Sequence, residues 1–153
     1  MTRATPRLGE IGLTNFPPYL MNRIMGRYNA DLRDQMDTIG LTTPKMRALA
    51  VLSVIDGLLL RDLAVYAVVE QSTLSRAIDQ LALEGRVNRS PDPDDSRAMR
   101  ISITTDGRAD FERLWPTMAQ AYRRMFDGIS AREQAAFVST LQTILANIRQ
   151  HDI

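Results

Sequence analysis

Seven residues, Ser90-Pro91-Asp92-Pro93-Asp94-Asp95-Ser96, constrain this chain more than any other stretch. Two prolines one residue apart fix φ and remove backbone donors, and serine and aspartate favour turns. Neither a helix nor a strand is expected across them. The short runs on either side must then be separate pieces of extended chain. Arg86-Val87-Asn88-Arg89 is too short for a helix after Gly85, and Arg100-Ile101-Ser102-Ile103 alternates like a half-buried strand with Ile101 and Ile103 inward. A hairpin with a polar tip results, and Arg97 sits on its descending side.

The residues before the hairpin read as two helices joined by a bend at Glu70-Gln71. In the second, from about Ser72 to Glu84, Leu74, Ile78 and Leu81 recur at helical spacing and would bury one face. Ser72 is expected to cap its start and Gly85 to end it in a left-handed bend. The other helix is expected over Leu58 to Val68. Helix, bend, helix, strand, wing and strand is the order of a winged helix-turn-helix, whose second helix enters a major groove of duplex DNA. Gln71, Ser72, Thr73, Ser75 and Arg76 would then face base edges and phosphates. Arg89, with Arg86 and Arg100, lies in the right neighbourhood for further phosphate contacts.

These residues also carry a resemblance. Ser72-Thr73-Leu74-Ser75-Arg76 through Leu81, Gly85 and Val87, then Pro91-Asp92-Pro93 with Asp95-Ser96-Arg97, and Ile103-Thr104 before Gly107, resemble the core of the MarR family of dimeric winged-helix regulators. The resemblance implies that Asp95 braces Arg97, which enters the minor groove. It extends to the flanking helices and implies that the first and last of them interlock into a homodimer. Two departures stand out. Leu59 and Leu60 replace a hydroxyl cap and a glutamine, and Val68 stands where a glycine often makes the turn.

Composition bounds this reading. A chain of 153 residues is one domain by size, and its formal net charge is only +1. Between Thr42 and Gly107 nine acidic side chains outnumber eight basic ones, so attraction to DNA has to be local. The absence of cysteine excludes a thiol switch, and a single histidine, His151, argues against a structural zinc site. No metal and no cofactor are expected. No apolar run approaches the ~20 residues needed to span a bilayer, and a cytoplasmic protein is expected. Convergent catalytic groups and a nucleotide-binding glycine run are missing, so the chain is not read as an enzyme.

In chain order, residues 1–12, with Arg3, Pro6, Arg7 and Gly9, read as a flexible arm. Residues 13–40 hold the first dimerisation helix, which starts at Phe16-Pro17-Pro18, carries Leu20, Ile24, Tyr28, Leu32 and Met36 every four residues, and ends at Gly40. Residues 41–104 form the winged helix-turn-helix, opening with Thr43 as N-cap and Pro44 at the first helical position. Residues 105–153 hold C-terminal dimerisation helices. There Thr104 caps one helix, which Pro116 is expected to bend, and Ser130 with Glu133 forms a capping box for another. The expected fold is therefore mostly α with a small β-hairpin wing, a winged helix-turn-helix flanked by N- and C-terminal dimerisation helices.

The expected function is a homodimeric repressor on a near-palindromic operator of double-stranded DNA. The family resemblance adds release by a small aromatic carboxylate or phenolic effector. Phe16, Tyr19, Met46 and Trp115 are candidate walls of its pocket, and Arg23 is a charge partner for a carboxylate. The rival reading is a winged-helix module that docks another protein and does not bind DNA. Arg76 and Arg97 favour the DNA reader, since each stands where one needs a cation.

Overall fold

A computed structural model describes residues 4–153. The first three residues of the expected arm, Arg3 among them, lie outside the described residues. The rest of that arm is not irregular throughout. Leu8–Ile11 forms a short helix, α1, whose start is closed by the Arg7 N–H donating to Glu10 Oε2 at 2.9 Å. A 3-10 turn, Leu13–Asn15, leads on to α2, Pro17–Ile39. Two prolines open α2 where a helix needs no backbone donors, and Gly40 closes it in the left-handed region at φ 77°.

The winged domain follows as α3 (Thr43–Leu52), β1 (Leu58–Leu59), α4 (Leu60–Ala67), α5 (Gln71–Leu83), β2 (Val87–Pro91) and β3 (Met99–Ile103). Two long helices complete the chain, α6 (Thr105–Met125) and α7 (Ala131–Ile148). Leu32 and Met36 of α2, Leu49 and Leu52 of α3, Leu63 of α4, and Leu74, Ile78 and Leu81 of α5 form one core with Val87, Ile101 and Leu114. Thr104 caps α6 by accepting from Gly107 N–H at 3.0 Å, and the Ser130–Glu133 capping box opens α7 as its spacing suggested. The α6 helix runs on through Pro116.

Four local expectations are corrected. Thr43 is the first residue of α3 and Thr42 its N-cap, without a side-chain hydrogen bond, which moves Pro44 to the second helical position. A proline is tolerated at either place, because both amides lack an intrahelical acceptor. Ser72 lies inside α5, where its hydroxyl donates to Glu70 Oε1 at 2.6 Å. Glu70 occupies the N-cap, and no side chain caps the helix. Leu58 and Leu59 belong to a strand, not to the helix that follows them. They pair with Ile101 and Arg100, making a three-stranded antiparallel sheet in the order β1-β3-β2. Ser90 and Pro91 extend β2 as far as a pairing with Met99, which an edge strand permits because the missing N–H faces outward.

Between α4 and α5 Val68 takes the left-handed conformation, φ 54° and ψ 51°. The bend is held from both sides. Val69 N–H reaches back to Ala64 C=O at 3.1 Å, and Arg47 Nη1 donates to Val68 C=O at 3.0 Å.

The two ends of the chain expose apolar surface. Leu20, Ile24 and Met25 on α2, and Phe137, Leu145 and Ile148 on α7, are all exposed, and α7 buries no residue. Contact between α7 and the rest includes Phe137 against Phe126, with ring centroids 6.1 Å apart.

Candidate nucleic-acid interface

Burial of Leu74, Ile78 and Leu81 fixes which side of α5 faces water. Ser72, Arg76 and Asp79, spaced by four and three residues, line the centre of that side. Gln71 and Gln80 are also exposed, and Thr73 and Ser75 are half-buried at its margins. Arg76 has no hydrogen-bond or ion-pair partner among the described residues, so its guanidinium is uncommitted.

The wing is built from the inside out. Arg100, on the central strand β3, donates from Nη1 to Gly57 C=O at 2.9 Å and from Nε to Asp92 Oδ1 at 2.6 Å. Asp92 is buried, and the Arg100 hydrogen bond holds its carboxyl below the usual carboxylate range against the opposing effect of burial. Its other oxygen accepts from Asp95 N–H at 3.2 Å, and Asp95 Oδ1 in turn accepts from Arg97 N–H at 3.0 Å and Arg97 Nε at 3.3 Å. Arg97 ends this chain with its side chain 91% exposed. The wing therefore presents one braced cation on a tip whose shape is set by a half-buried ion pair.

Along the chain Asp92 is a turn former and Arg100 a strand residue with a spare charge, and only the fold joins them. The detectable signal was Asp92 three residues before Asp95, the spacing at which a carboxylate accepts a backbone N–H in a turn.

The other arginines divide by partner. Arg86 is bound to Asp110 at 2.9 Å and Arg100 to Asp92, so both also serve as internal braces. Arg89 bonds to Asp79 across the seam between β2 and α5.

The five expected effector residues are not gathered within this one chain. Met46 is enclosed in the core, Trp115 is exposed beside Phe111, and Phe16 is the N-cap of α2. Arg23 lies 6.0 Å above the Tyr19 ring. Asp31 and Arg124 join α2 to α6 at 2.7 Å. The buried residues of α2, Leu32 and Met36, follow that bridge in sequence, whereas Leu114 and Ala121 of α6 precede it, so the helices run antiparallel. At a rise of about 1.5 Å per residue, Tyr19 lies about 18 Å to one side of the bridge and Trp115 about 14 Å to the other. A shallow cleft elsewhere, lined by Arg61, Val65, Val68, Gln71 and His151 among others, includes none of the five.

Residues 41–99, which span the helix-turn-helix and most of the wing, match the MarR family. A crystal structure of a MarR-family transcriptional regulator from Silicibacter pomeroyi superposes with a TM-score of 0.93 at 55% identity, covering 97% of this chain and 100% of that one. This chain is a member of the MarR family. As such it is a DNA-binding transcription regulator and not an enzyme. Other relatives of this MarR-family regulator differ in the sign of their regulation. The HTH-type transcriptional repressor IacR of Pseudomonas putida is 24% identical over 143 residues, 94% of this chain and 86% of that protein. The transcriptional activatory protein BadR of Rhodopseudomonas palustris is 30% identical over 121 residues, 74% of this chain and 67% of that protein. No helix among the described residues is long and apolar enough to cross a membrane, and no cluster among them could hold a metal ion.

Proposed function

We propose that this regulator acts as a homodimeric repressor that reads a near-palindromic operator and leaves it when a small aromatic acid or phenol binds. Two copies of α5 would enter successive major grooves, about 34–36 Å apart along the duplex. Gln71, Ser72, Thr73, Ser75 and Arg76 are the proposed contacts there, with Arg89 at the flank and Arg97, braced by Asp95, in the minor groove. The observation that carries the reading is Arg97, fully presented to solvent yet fixed at backbone and side chain by one carboxylate. A flexible cation would lose more entropy on docking than one already held.

Dimerisation is supported by the exposed apolar stripes of α2 and α7 at opposite ends of the chain. Sedimentation is expected to give a dimer at micromolar concentration; a monomer would overturn it. The effector site is proposed across the two protomers, because residues about 30 Å apart along one chain can share a pocket only if a second copy brings one set to the other. The Tyr19–Arg23 pair and exposed Trp115 supply its aromatic and cationic parts.

A duplex selected from a random-sequence pool tests the DNA reading. Arg76→Ala is expected to weaken binding to that duplex by about 1–3 kcal/mol, the worth of one bidentate guanine contact. Arg97→Ala is expected to weaken it less and to shift base preference only modestly, since the minor groove distinguishes chiefly A·T from G·C. Wild-type affinity in both variants would refute these assignments. Calorimetry with benzoates and cinnamates, followed by operator release, tests the effector, with Arg23→Ala as control.

A further inference from the structure

Asp79 poses a problem for a DNA reader. It sits in the outward line of α5 between Ser72, Arg76 and the helix end, and its side chain is 57% exposed. A carboxylate there should repel the phosphates that Arg76 attracts. Its partner resolves the conflict. In β2, Arg89 alternates with Asn88 and so shares a sheet face with Val87, which is buried against the core. From that inner face, at the sheet edge, the Arg89 side chain reaches the surface of α5, where Nη1 meets Asp79 Oδ1. An arginine has five N–H donors, and the Nη2 and Nε groups of Arg89 have no partner among the described residues.

Resting on the reading that this chain binds duplex DNA, we propose that Asp79 is a positioning residue for that binding. It holds the Arg89 guanidinium at the seam between reading helix and wing, with the remaining N–H groups free to take a backbone phosphate. One carboxylate thus ties the two reading elements together and orders a cation that would otherwise sweep through solvent.

Simple charge counting gives the opposite sign. Removing a negative charge from the DNA-facing side should tighten binding to every duplex, whereas loss of a positioning carboxylate should loosen it. The salt dependence separates the two further. Each phosphate contact contributes about −0.9 to the slope of log affinity against log salt, so two Arg89 contacts per dimer account for about −1.8.

The experiment uses the full chain and a duplex enriched by the wild-type protein from a random-sequence pool, titrated by fluorescence anisotropy across a salt series. Arg89→Ala is expected to weaken binding about tenfold and to reduce the slope by about 1.8. Asp79→Ala should reproduce most of both effects, and the double variant should be no weaker than Arg89→Ala alone. Asp79→Asn keeps an acceptor oxygen and should fall between. Because the pair is exposed, every variant should melt within a few degrees of wild type. Tighter or unchanged binding by Asp79→Ala or Asp79→Asn, or an unchanged slope in Asp79→Ala beside a reduced one in Arg89→Ala, overturns the proposal. Failure of the wild-type protein to enrich any duplex overturns the DNA reading itself, and this inference with it.

Discussion

The Lys45 ammonium lies 2.7 Å from a carboxylate oxygen of Glu84, joining the first turn of α3 to the end of α5 across 39 residues of sequence. The two partners are unequal. Lys45 is almost fully covered, with its side chain 7% exposed, whereas Glu84 is 44% exposed and can turn to water if released. The link pins the reading helix at the end remote from its first turn.

Lys45→Ala is therefore expected to destabilise the protein by about 2–3 kcal/mol, mostly through lost burial of the methylene stem at about 0.8 kcal/mol per group. Lys45→Met keeps an apolar stem and should cost less than about 1 kcal/mol, the worth of a partly solvated ion pair. Urea denaturation at fixed protein concentration distinguishes them. Equal losses would mean that charge, not packing, dominates the site.

Val68 is a β-branched residue in the left-handed region, and it is 77% exposed, so it gives up backbone energy with little packing in return. Such a conformation costs about 1–2 kcal/mol in a non-glycine residue. Glycine removes that strain but adds freedom to the unfolded chain, so Val68→Gly should stabilise by up to about 1 kcal/mol. A lower melting temperature in this variant would show that the Val68 side chain supplies more than its exposure suggests.

Gly107 has the opposite constraint. A Cβ there would stand 2.1 Å from the Arg86 carbonyl oxygen and 3.1 Å from Ile103 Cγ1, because the start of α6 is seated on the backbone just before β2. Thr104 N–H also bonds that carbonyl, at 3.1 Å. Gly107→Ala is expected to cost about 3 kcal/mol or more, at the upper end for overpacking, since backbone cannot give way as a side chain can. A thermal melt indistinguishable from wild type would contradict this seating.

The wing should loosen in acid. The Arg100 hydrogen bond holds the Asp92 carboxyl below its ordinary value, so the stability it contributes is complete above about pH 4 and is lost as pH falls through the depressed folded value. Melting curves of wild type and Asp92→Asn are expected to differ near pH 6 and to converge toward pH 2–3. A constant gap would remove Asp92 ionisation from the account.

Much of the architecture was legible because its signals are local. Pro17-Pro18 and Gly40 bracket α2, Gly85 ends α5 at φ 73°, and Ser130 with Glu133 opens α7. Each acts within one helical turn, so the residues that decide it are adjacent in the sequence. Apolar periodicity likewise assigned Leu74, Ile78 and Leu81 to the core and left Arg76 outside. The Asp95–Arg97 brace, two residues apart, is what the resemblance to the MarR family implied, and the hydrogen bonds from Arg97 to Asp95 bear it out.

What tertiary structure alone decided was the choice of distant partners. Arg86, Arg89, Arg97 and Arg100 look alike along the chain, yet folding sets Arg86 against Asp110, Arg89 against Asp79 and Arg100 against Asp92 and Gly57, leaving Arg97 presented. Leu58 and Leu59 lie between the Asp56-Gly57 bend and α4; they are strand because β3 offers an unpaired edge 41 to 43 residues away. The candidate effector residues share suitable chemistry, but the antiparallel packing of α2 on α6 carries Tyr19 and Trp115 to opposite sides of the Asp31–Arg124 bridge. A side chain's type is written in the sequence, whereas the group it meets depends on backbone hydrogen bonding and burial summed over the whole fold.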